Sequence, residues 1–551
     1  MRLRPRAPQK VTLLRVAAAA FSGLLLACSR PNFDYPWLVL IGLVPLFVAW
    51  RGRGGKSSAG LAFVAGAVYY AIVCSWTWFF GAVAIIPLVS LLAGVWAFAG
   101  AGIGWLRVRG VSNPWLVAAI WVLGDTIIGQ FPFGGFSWGE LGYALAAPAP
   151  ARAVASVGGL ALVTFLVVAV NAFLADLVVA ARRCDVRRII WGDIGVAVIA
   201  LGIVAATVTQ AAPRVENGLR VALIQGNDKN RDLTAEEVAD RYLPKSHFAL
   251  ADQITGPVDL IVFPESSMDA DPRTDPYIRD SLAEIAIEHD AWVLANSSEA
   301  DADPDGNKAL NLNVLFSPEG EIVGEYAKRH LVPFGEVVPA RSVVESLVPA
   351  VKEQIPRDFA EGTTSGLFDL DGTRIASVIC FESAFGPEIR PLVAAGAEAI
   401  VVSTNNRSYR RSANSAQHLA IGQMRTAETG RPLVQASISG ISAVIDVNGV
   451  VHDRTKLFEN GVVETTVGLV TGQTPYVKYG DWVVGVCALI ALAGFGVAFV
   501  RRGQKRSVES RAPQETVSIA SRIAGYDIGA PSPSAPEPVD VSPGAGLGAE
   551  D

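Results

Sequence analysis

A cysteine, a glutamate and a lysine each stand at the end of a short apolar run, and these three are the residues of the chain best suited to covalent chemistry. Ala376-Ser377-Val378-Ile379 leads straight into Cys380, with Glu382 two positions on. Val258-Asp-Leu-Ile-Val-Phe-Pro264 ends at Glu265, and Gly324-Glu-Tyr-Ala327 leads into Lys328. Such runs read as buried strands, and a strand delivers its last side chain to the sheet edge, where it faces a cleft. Cysteine attacks as a thiolate and needs a base or a cation beside it. Glu265 supplies the base and Lys328 the cation, the latter placed to face the oxyanion that forms on an attacked carbonyl. Of the cysteines Cys28, Cys74, Cys184, Cys380 and Cys487, only Cys380 falls in the polar half of the chain. That half therefore holds no disulfide and no thiolate metal cluster, and Cys380 is either an inert buried thiol or a nucleophile.

The segments around these residues alternate between strand and helix patterns. Residues 219–225 read as a strand that turns at Gly226-Asn227, 234–253 as an amphipathic helix and 259–263 as the strand that ends at Glu265. A helix at 275–289 and a strand at 291–296 follow, then a hairpin of 313–316 and 322–326 around Ser317-Pro-Glu-Gly320. Beyond Cys380 the pattern gives a helix at 386–395, a strand at 399–403 and a helix at 415–429. A strand at 433–437 and a hairpin at 443–451 around Asn448-Gly449 complete it. This alternation predicts a layered α/β domain over 217–470.

The rest of the chain belongs to a different solvent. Of 551 residues, 51% are hydrophobic and 18% charged, with a mean hydropathy of +0.36; both point to several membrane spans. Apolar runs predict spans at 11–28, 36–50, 59–77, 82–104, 114–129, 155–181 and 190–208, a seven-span domain over 1–210, and an eighth span at 482–500 within 480–502. Five basic clusters fall between them: Arg2 to Lys10, Arg51 to Lys56, Arg107 and Arg109, Arg182 to Arg188, and Arg501 to Arg506. With seven spans before the polar domain, all five lie on one side. The positive-inside rule then places both termini in the cytoplasm and the α/β domain outside it. The net charge of −6 and the absence of a basic stripe argue against a nucleic-acid partner. Asp125 and Glu140 near membrane depth are candidates for function by their cost alone. The aromatic loop Phe131–Tyr143 reads either as an interfacial belt or as a lipid-facing vestibule.

The three segments resemble the Glu-Lys-Cys triad of the nitrilase (carbon–nitrogen hydrolase) superfamily. Tyr326-Ala-Lys-Arg-His-Leu-Val-Pro-Phe-Gly-Glu-Val-Val-Pro339 and Gly430-Arg-Pro432 are similar to motifs of the apolipoprotein N-acyltransferase family. The resemblance implies an α-β-β-α sandwich outside the cytoplasm of a bacterial plasma membrane. It also implies a ping-pong reaction without cofactor or metal, in which Cys380 takes an acyl chain from a phospholipid and passes it to the free amine of a diacylglyceryl-apolipoprotein. Glu336 and Glu382 match further acidic positions of the family and are expected to orient Lys328 or tune its charge. Phe381 is expected to offer a backbone N–H to the oxyanion, Tyr326 and Phe334 to wall the pocket, and Asn311 to stand behind it. His330 reads as structural or exposed.

One segment departs from the family. After Val401-Val-Ser-Thr-Asn405 its members often continue Asp-Ala-Trp-Phe-Gly, whereas this chain has Asn406-Arg407-Ser408-Tyr409-Arg410 followed by Arg411. Such a lid places Arg407 and Tyr409 near substrate, with Arg407, Arg410 and Arg411 toward anionic headgroups or in a solvated loop. Residues 503–551, rich in Pro, Ser, Ala and Gly, read as a disordered cytoplasmic tail. The rival function is a membrane-tethered amidase or nitrilase acting on a small amide, since a thioester passes to water as well as to an amine.

Overall fold

The computed structural model describes residues 7–31, 33–209, 215–229, 233–302, 307–349 and 351–523. Met1–Gly496 form one compact unit, and Val497–Asp551 form a second. Among the described residues five helices are long and apolar enough to cross a membrane: Gly55–Val73, Ala82–Arg107, Ala149–Arg182, Ile190–Val208 and Trp482–Arg502. Thr12–Cys28, Pro36–Ala49 and Pro114–Ile128 are shorter apolar helical segments. Side chains such as Phe98 (74% exposed), Leu201 (70%) and Leu492 (68%) stand outward from these helices, an arrangement that hydrocarbon covers and water does not.

Three local features of these helices have backbone causes. The second predicted span is a 3-10 turn, Pro36–Leu40, followed by the short helix Val44–Ala49. Gly124 and Asp125, which interrupt the apolar pattern, lie inside the continuous helix Pro114–Ile128, opened by the Asn113 side chain accepting from Leu116 N. The helix Ala149–Arg182 is kinked, with Gly159 at φ 67°, a conformation a side chain would strain. The freed N–H of Leu160 is caught at 2.7 Å by Glu428 of the α/β domain.

That domain is built on two sheets. The first holds β1 (Val215–Gln225), β2 (Leu260–Val262), β3 (Trp292–Asp301), β4 (Lys308–Phe316), β5 (Ile322–Ala327) and β6 (Asp358–Phe359). The second holds β7 (Leu367–Leu370), β8 (Thr373–Ile379), β9 (Ala399–Thr404), β10 (Leu433–Ser437), β11 (Ala443–Ile445) and β12 (Val451–His452). The strand β13 (Gly461–Val470) returns to the first sheet. The orders are β13-β1-β2-β3-β4-β5, with β6 on β4, and β12-β11-β10-β9-β8-β7. Each sheet has a parallel centre, β1-β2-β3 and β8-β9-β10, with antiparallel flanks apart from β6, which pairs with β4 in parallel.

The period-2 alternation of the strands assigns their faces. Val221, Leu223, Ile375, Ile379 and Val401 meet in one core between the sheets. Ala222 and Ile224 point outward onto helices Tyr242–Ala251 and Pro276–His289. Ala376, Val378, Ile400 and Val402 point outward onto Gly386–Ala394 and Asn414–Thr429. The layers are therefore α-β-β-α. The predicted helix over 234–253 is two, Ala235–Ala239 and Tyr242–Ala251, broken at Arg241 with φ 56°. Of the predicted disordered tail, 503–523 belong to the helix Trp482–Ile523, and 524–551 lie outside the described residues.

Candidate active site

The parallel centres of the sheets bring their carboxyl ends to one edge, where ligands bind in open α/β sheets. Glu265 follows β2, Lys328 follows β5 and Cys380 follows β8. Cys380 turns off its strand with φ 52°, a left-handed conformation held only where the surroundings impose it. The 3-10 turn Cys380–Ala384 comes next.

Glu265 is 5% exposed and Lys328 is 1% exposed. Lys328 Nζ donates to Glu265 Oε1 at 3.2 Å and to Glu336 Oε1 at 2.8 Å. Asn311 Nδ2 donates to the same two oxygens, at 2.7 and 2.9 Å. Glu265 Oε2 accepts from Asn405 N at 2.7 Å, and Glu336 Oε2 from Val332 N at 2.8 Å. Every partner is a donor, so both carboxyls are set up as carboxylates. Burial opposes the Lys328 charge, but Glu265 and Glu336 outweigh it and hold its pKa well above the usual lysine value. Behind them Asn296 Nδ2 donates to Asn311 and Asn313, and Asn313 Nδ2 donates to Ser377 Oγ at 2.8 Å. This buried amide chain joins the two sheets under the site.

Cys380 keeps some exposed surface, yet protein atoms surround its thiol. Burial first, and then the Glu265 charge, push the thiol up to about 12, while Lys328 and the Thr404 hydroxyl pull it down. Thr404 Oγ1 lies 3.3 Å from Sγ. On balance burial and the Glu265 charge outweigh these and favour the neutral thiol.

Glu382, wholly buried, does not reach Lys328 with a hydrogen bond. It accepts from Tyr326 Oη at 2.8 Å, Arg329 N at 2.7 Å, His330 N at 3.1 Å and Ile379 N at 2.7 Å. It thereby ties the loop after Lys328 to the strand end before Cys380. The Tyr326 ring lies in the core between the sheets, the cluster against which Cys380 also packs, and its hydroxyl donates to Glu382. Phe334, 51% exposed, meets Phe133 edge-on at 5.9 Å and stands on the rim. Arg407 is turned from solvent by an ion pair at 2.9 Å with the buried Asp228. Tyr409 packs edge-on against Trp76 at 4.8 Å and Phe80 at 5.8 Å.

Two neighbours on the helix Asn414–Thr429 escaped the sequence reading. Gln417 Oε1 accepts from Trp76 Nε1 at 3.1 Å and Trp138 Nε1 at 2.8 Å, and its Nε2 donates to Val73 O. The α/β domain is thus pinned to two aromatic loops of the apolar helices. Trp138 stacks on Phe381, with ring centroids 6.2 Å apart, and Tyr143 Oη donates to Ala384 O. His418, also buried, places Nε2 at 2.7 Å from Ser383 Oγ and 3.2 Å from Cys380 O. Its Nδ1 lies 3.2 Å from Asn406 Nδ2 and 3.3 Å from Thr404 Oγ1. Since Cys380 O only accepts and the amide only donates, Nε2 carries the hydrogen. Burial holds the ring neutral, with its pKa down to about 4. Only the turn around Cys380 identifies this histidine as relevant, and no local pattern marks it. His418→Gln is expected to slow covalent modification of Cys380 by an activated ester roughly tenfold, the effect of one lost buried hydrogen bond. Time-resolved intact mass of the protein checks this.

Residues 22–173 match the family described as Apolipoprotein N-acyltransferase N-terminal domain, and residues 220–475 match Carbon-nitrogen hydrolase. The apolipoprotein N-acyltransferase of Geobacter metallireducens is 30% identical over 506 residues, covering 88% of this chain and 95% of that protein. The one of Gloeobacter violaceus is 30% identical over 522 residues, covering 90% and 96%. Saccharomyces cerevisiae Nit3, a nitrilase-superfamily structure, is 13% identical and covers 47% of this chain and 93% of its own, with a TM-score of 0.36; at that score the overlap adds nothing to the fold read from the sheets. Matches to both halves, and to relatives over nearly their whole length, favour acyl transfer over a tethered amidase. This chain belongs to the apolipoprotein N-acyltransferase family.

Proposed function

We propose that the chain moves a fatty acyl group from a membrane phospholipid to the free amine of the S-diacylglyceryl-cysteine of an apolipoprotein, through a thioester on Cys380. The observation that carries this reading is the seat of the nucleophile. The turn Cys380–Ala384 packs directly on the loops of the apolar helices, through Trp138 on Phe381 and Tyr143 on Ala384. Exposed aromatics stand on neighbouring loops, Phe133 on the loop of Trp138, Phe79 on the turn of Trp76 and Phe334 on the loop after Lys328 (56%, 44% and 51%), and a lipid ester suits such an apolar surface where a small polar amide does not.

In the reaction Glu265 takes the Cys380 proton as Sγ bonds to the ester carbonyl carbon and the π pair moves onto oxygen. Two of the three Lys328 N–H bonds go to Glu265 and Glu336, so the third is free for that oxyanion, with the Phe381 N–H as a second donor. Collapse expels the glyceryl alkoxide, which takes the proton back from Glu265 and leaves as lysophospholipid. The acceptor amine then attacks the thioester while Glu265 takes one of its protons and hands it to the departing thiolate. The five long helices and three shorter apolar segments serve as eight crossings of the plasma membrane. The arginine clusters hold both termini in the cytoplasm, and the α/β domain faces the other side.

Purified full-length protein incubated with phospholipid is expected to gain a fatty-acyl mass that hydroxylamine releases and that Cys380→Ala lacks. Adding a diacylglyceryl peptide should then discharge the adduct and yield triacylated peptide. Hydrolysis of small amides with no adduct would sink the reading.

A further inference from the structure

At the end of the apolar bundle away from Cys380, three segments line an open groove of about 620 Å³. Leu14, Arg15 and Ala18 come from the first helix, Pro45, Val48, Ala49 and Arg51 from the second segment, and Val179, Arg182 and Arg183 from the end of Ala149–Arg182. The opposite end of that last helix carries the α/β domain: Arg152 donates to Gln423 O and Val447 O, and Leu160 N donates to Glu428. From Leu160 to Val179 the helix rises roughly 30 Å, the thickness of a bilayer core.

The groove has an apolar floor and a basic rim. Arg15 Nη1 is fixed by Ala49 O at 2.7 Å and Arg51 O at 3.0 Å, so one guanidinium is held in place before any ligand arrives. Arg51 pairs with Asp176, which offsets one of the four arginine charges and leaves three. Arg182 and Arg183 are exposed, and among the described residues neither guanidinium has a hydrogen-bond or ion-pair partner. Guanidinium forks above an apolar trough match a phosphate that carries acyl chains.

We propose that this groove binds an anionic phospholipid, its phosphate between Arg15, Arg182 and Arg183 and an acyl chain along Ala18, Val48 and Val179. The site is separate from that of the acyl donor and does not rest on the chemistry of Cys380.

The test uses the full-length protein in detergent, with retained lipid read by native mass spectrometry after titration with phosphatidylglycerol or phosphatidylcholine. Wild type and Cys380→Ala should both retain phosphatidylglycerol in preference to phosphatidylcholine. Arg182→Gln/Arg183→Gln should bind it about 25-fold more weakly, roughly fivefold per arginine. Val179→Trp, which fills the trough and leaves every charge, should also lose it. Arg187→Gln, at the same bundle end but outside the groove, should bind as wild type. Equal retention of phosphatidylcholine, or native binding by either groove variant, overturns the proposal. Displacement of the lipid by inorganic phosphate alone makes the groove a free-anion site and overturns it too.

Discussion

Replacing Glu265 with glutamine is expected to drive two measurements of Cys380 in opposite directions. The carboxylate is the second cause, after burial, of a thiol held up to about 12. At pH 8 such a group is almost wholly protonated. Native alkylation by iodoacetamide should therefore be slow and climb about tenfold per pH unit, with no plateau below about pH 12. Glutamine removes the charge that raises the thiol, so its pKa falls and alkylation at a fixed pH becomes faster. Acylation by phospholipid should nevertheless fall by about 10²- to 10⁴-fold, because the base that takes the proton during attack is gone. Asn405 N and Asn311 Nδ2, which now hold the carboxylate, limit the rearrangement, although one amide oxygen replaces two acceptors. A parallel fall in both rates would mean a collapsed site, and unchanged acylation would remove Glu265 from the role of base.

What could be read in advance follows from how local the signal is. Ile379 before Cys380 and Val262 ahead of Glu265 belong to period-2 strands whose two faces pack on different layers, and that alternation is visible in the sequence. The ends of β2, β5 and β8 converge because both sheets have parallel centres, which strand patterns alone leave undecided. The return of β13 to pair with β1 joins residues some 240 positions apart, as in Val221 with Thr465, and no hairpin signal announces it. The edge strand β7 was equally silent. Side chains whose partners are distant fared worst. Tyr326 acquires its partner Glu382, and Arg407 the buried Asp228, only in the folded chain. Gln417 and His418 sit within a helix of ordinary composition and acquire meaning only from Trp76, Trp138 and the carbonyl of Cys380.

Lys328→Met is expected to cost the protein both stability and rate, and a second substitution should separate the two. Methionine leaves the buried Glu265 and the partly buried Glu336 sharing the Asn311 amide, without the ammonium that now bridges them. Breaking a buried pair in this way destabilises by about 3–5 kcal/mol, since the orphaned charge keeps its desolvation cost. Acylation should fall by about 10²- to 10³-fold, the usual effect of losing a donor aimed at an oxyanion. Adding Glu336→Gln to the methionine variant removes one of the two orphaned carboxylates, while Glu265 keeps its bonds from Asn311 and Asn405. The unfolding temperature of the double variant should therefore recover most of the loss. Its acylation rate should not recover, because no cation faces the carbonyl oxygen. A double-mutant cycle over Lys328 and Glu336, measured by thermal unfolding and by intact-mass acylation, reads both quantities on the same four proteins. If rate returns with stability, Lys328 serves only to hold the fold together. If stability returns alone, its charge acts on the reaction, and the two acids beside it hold that charge in a place from which water is excluded.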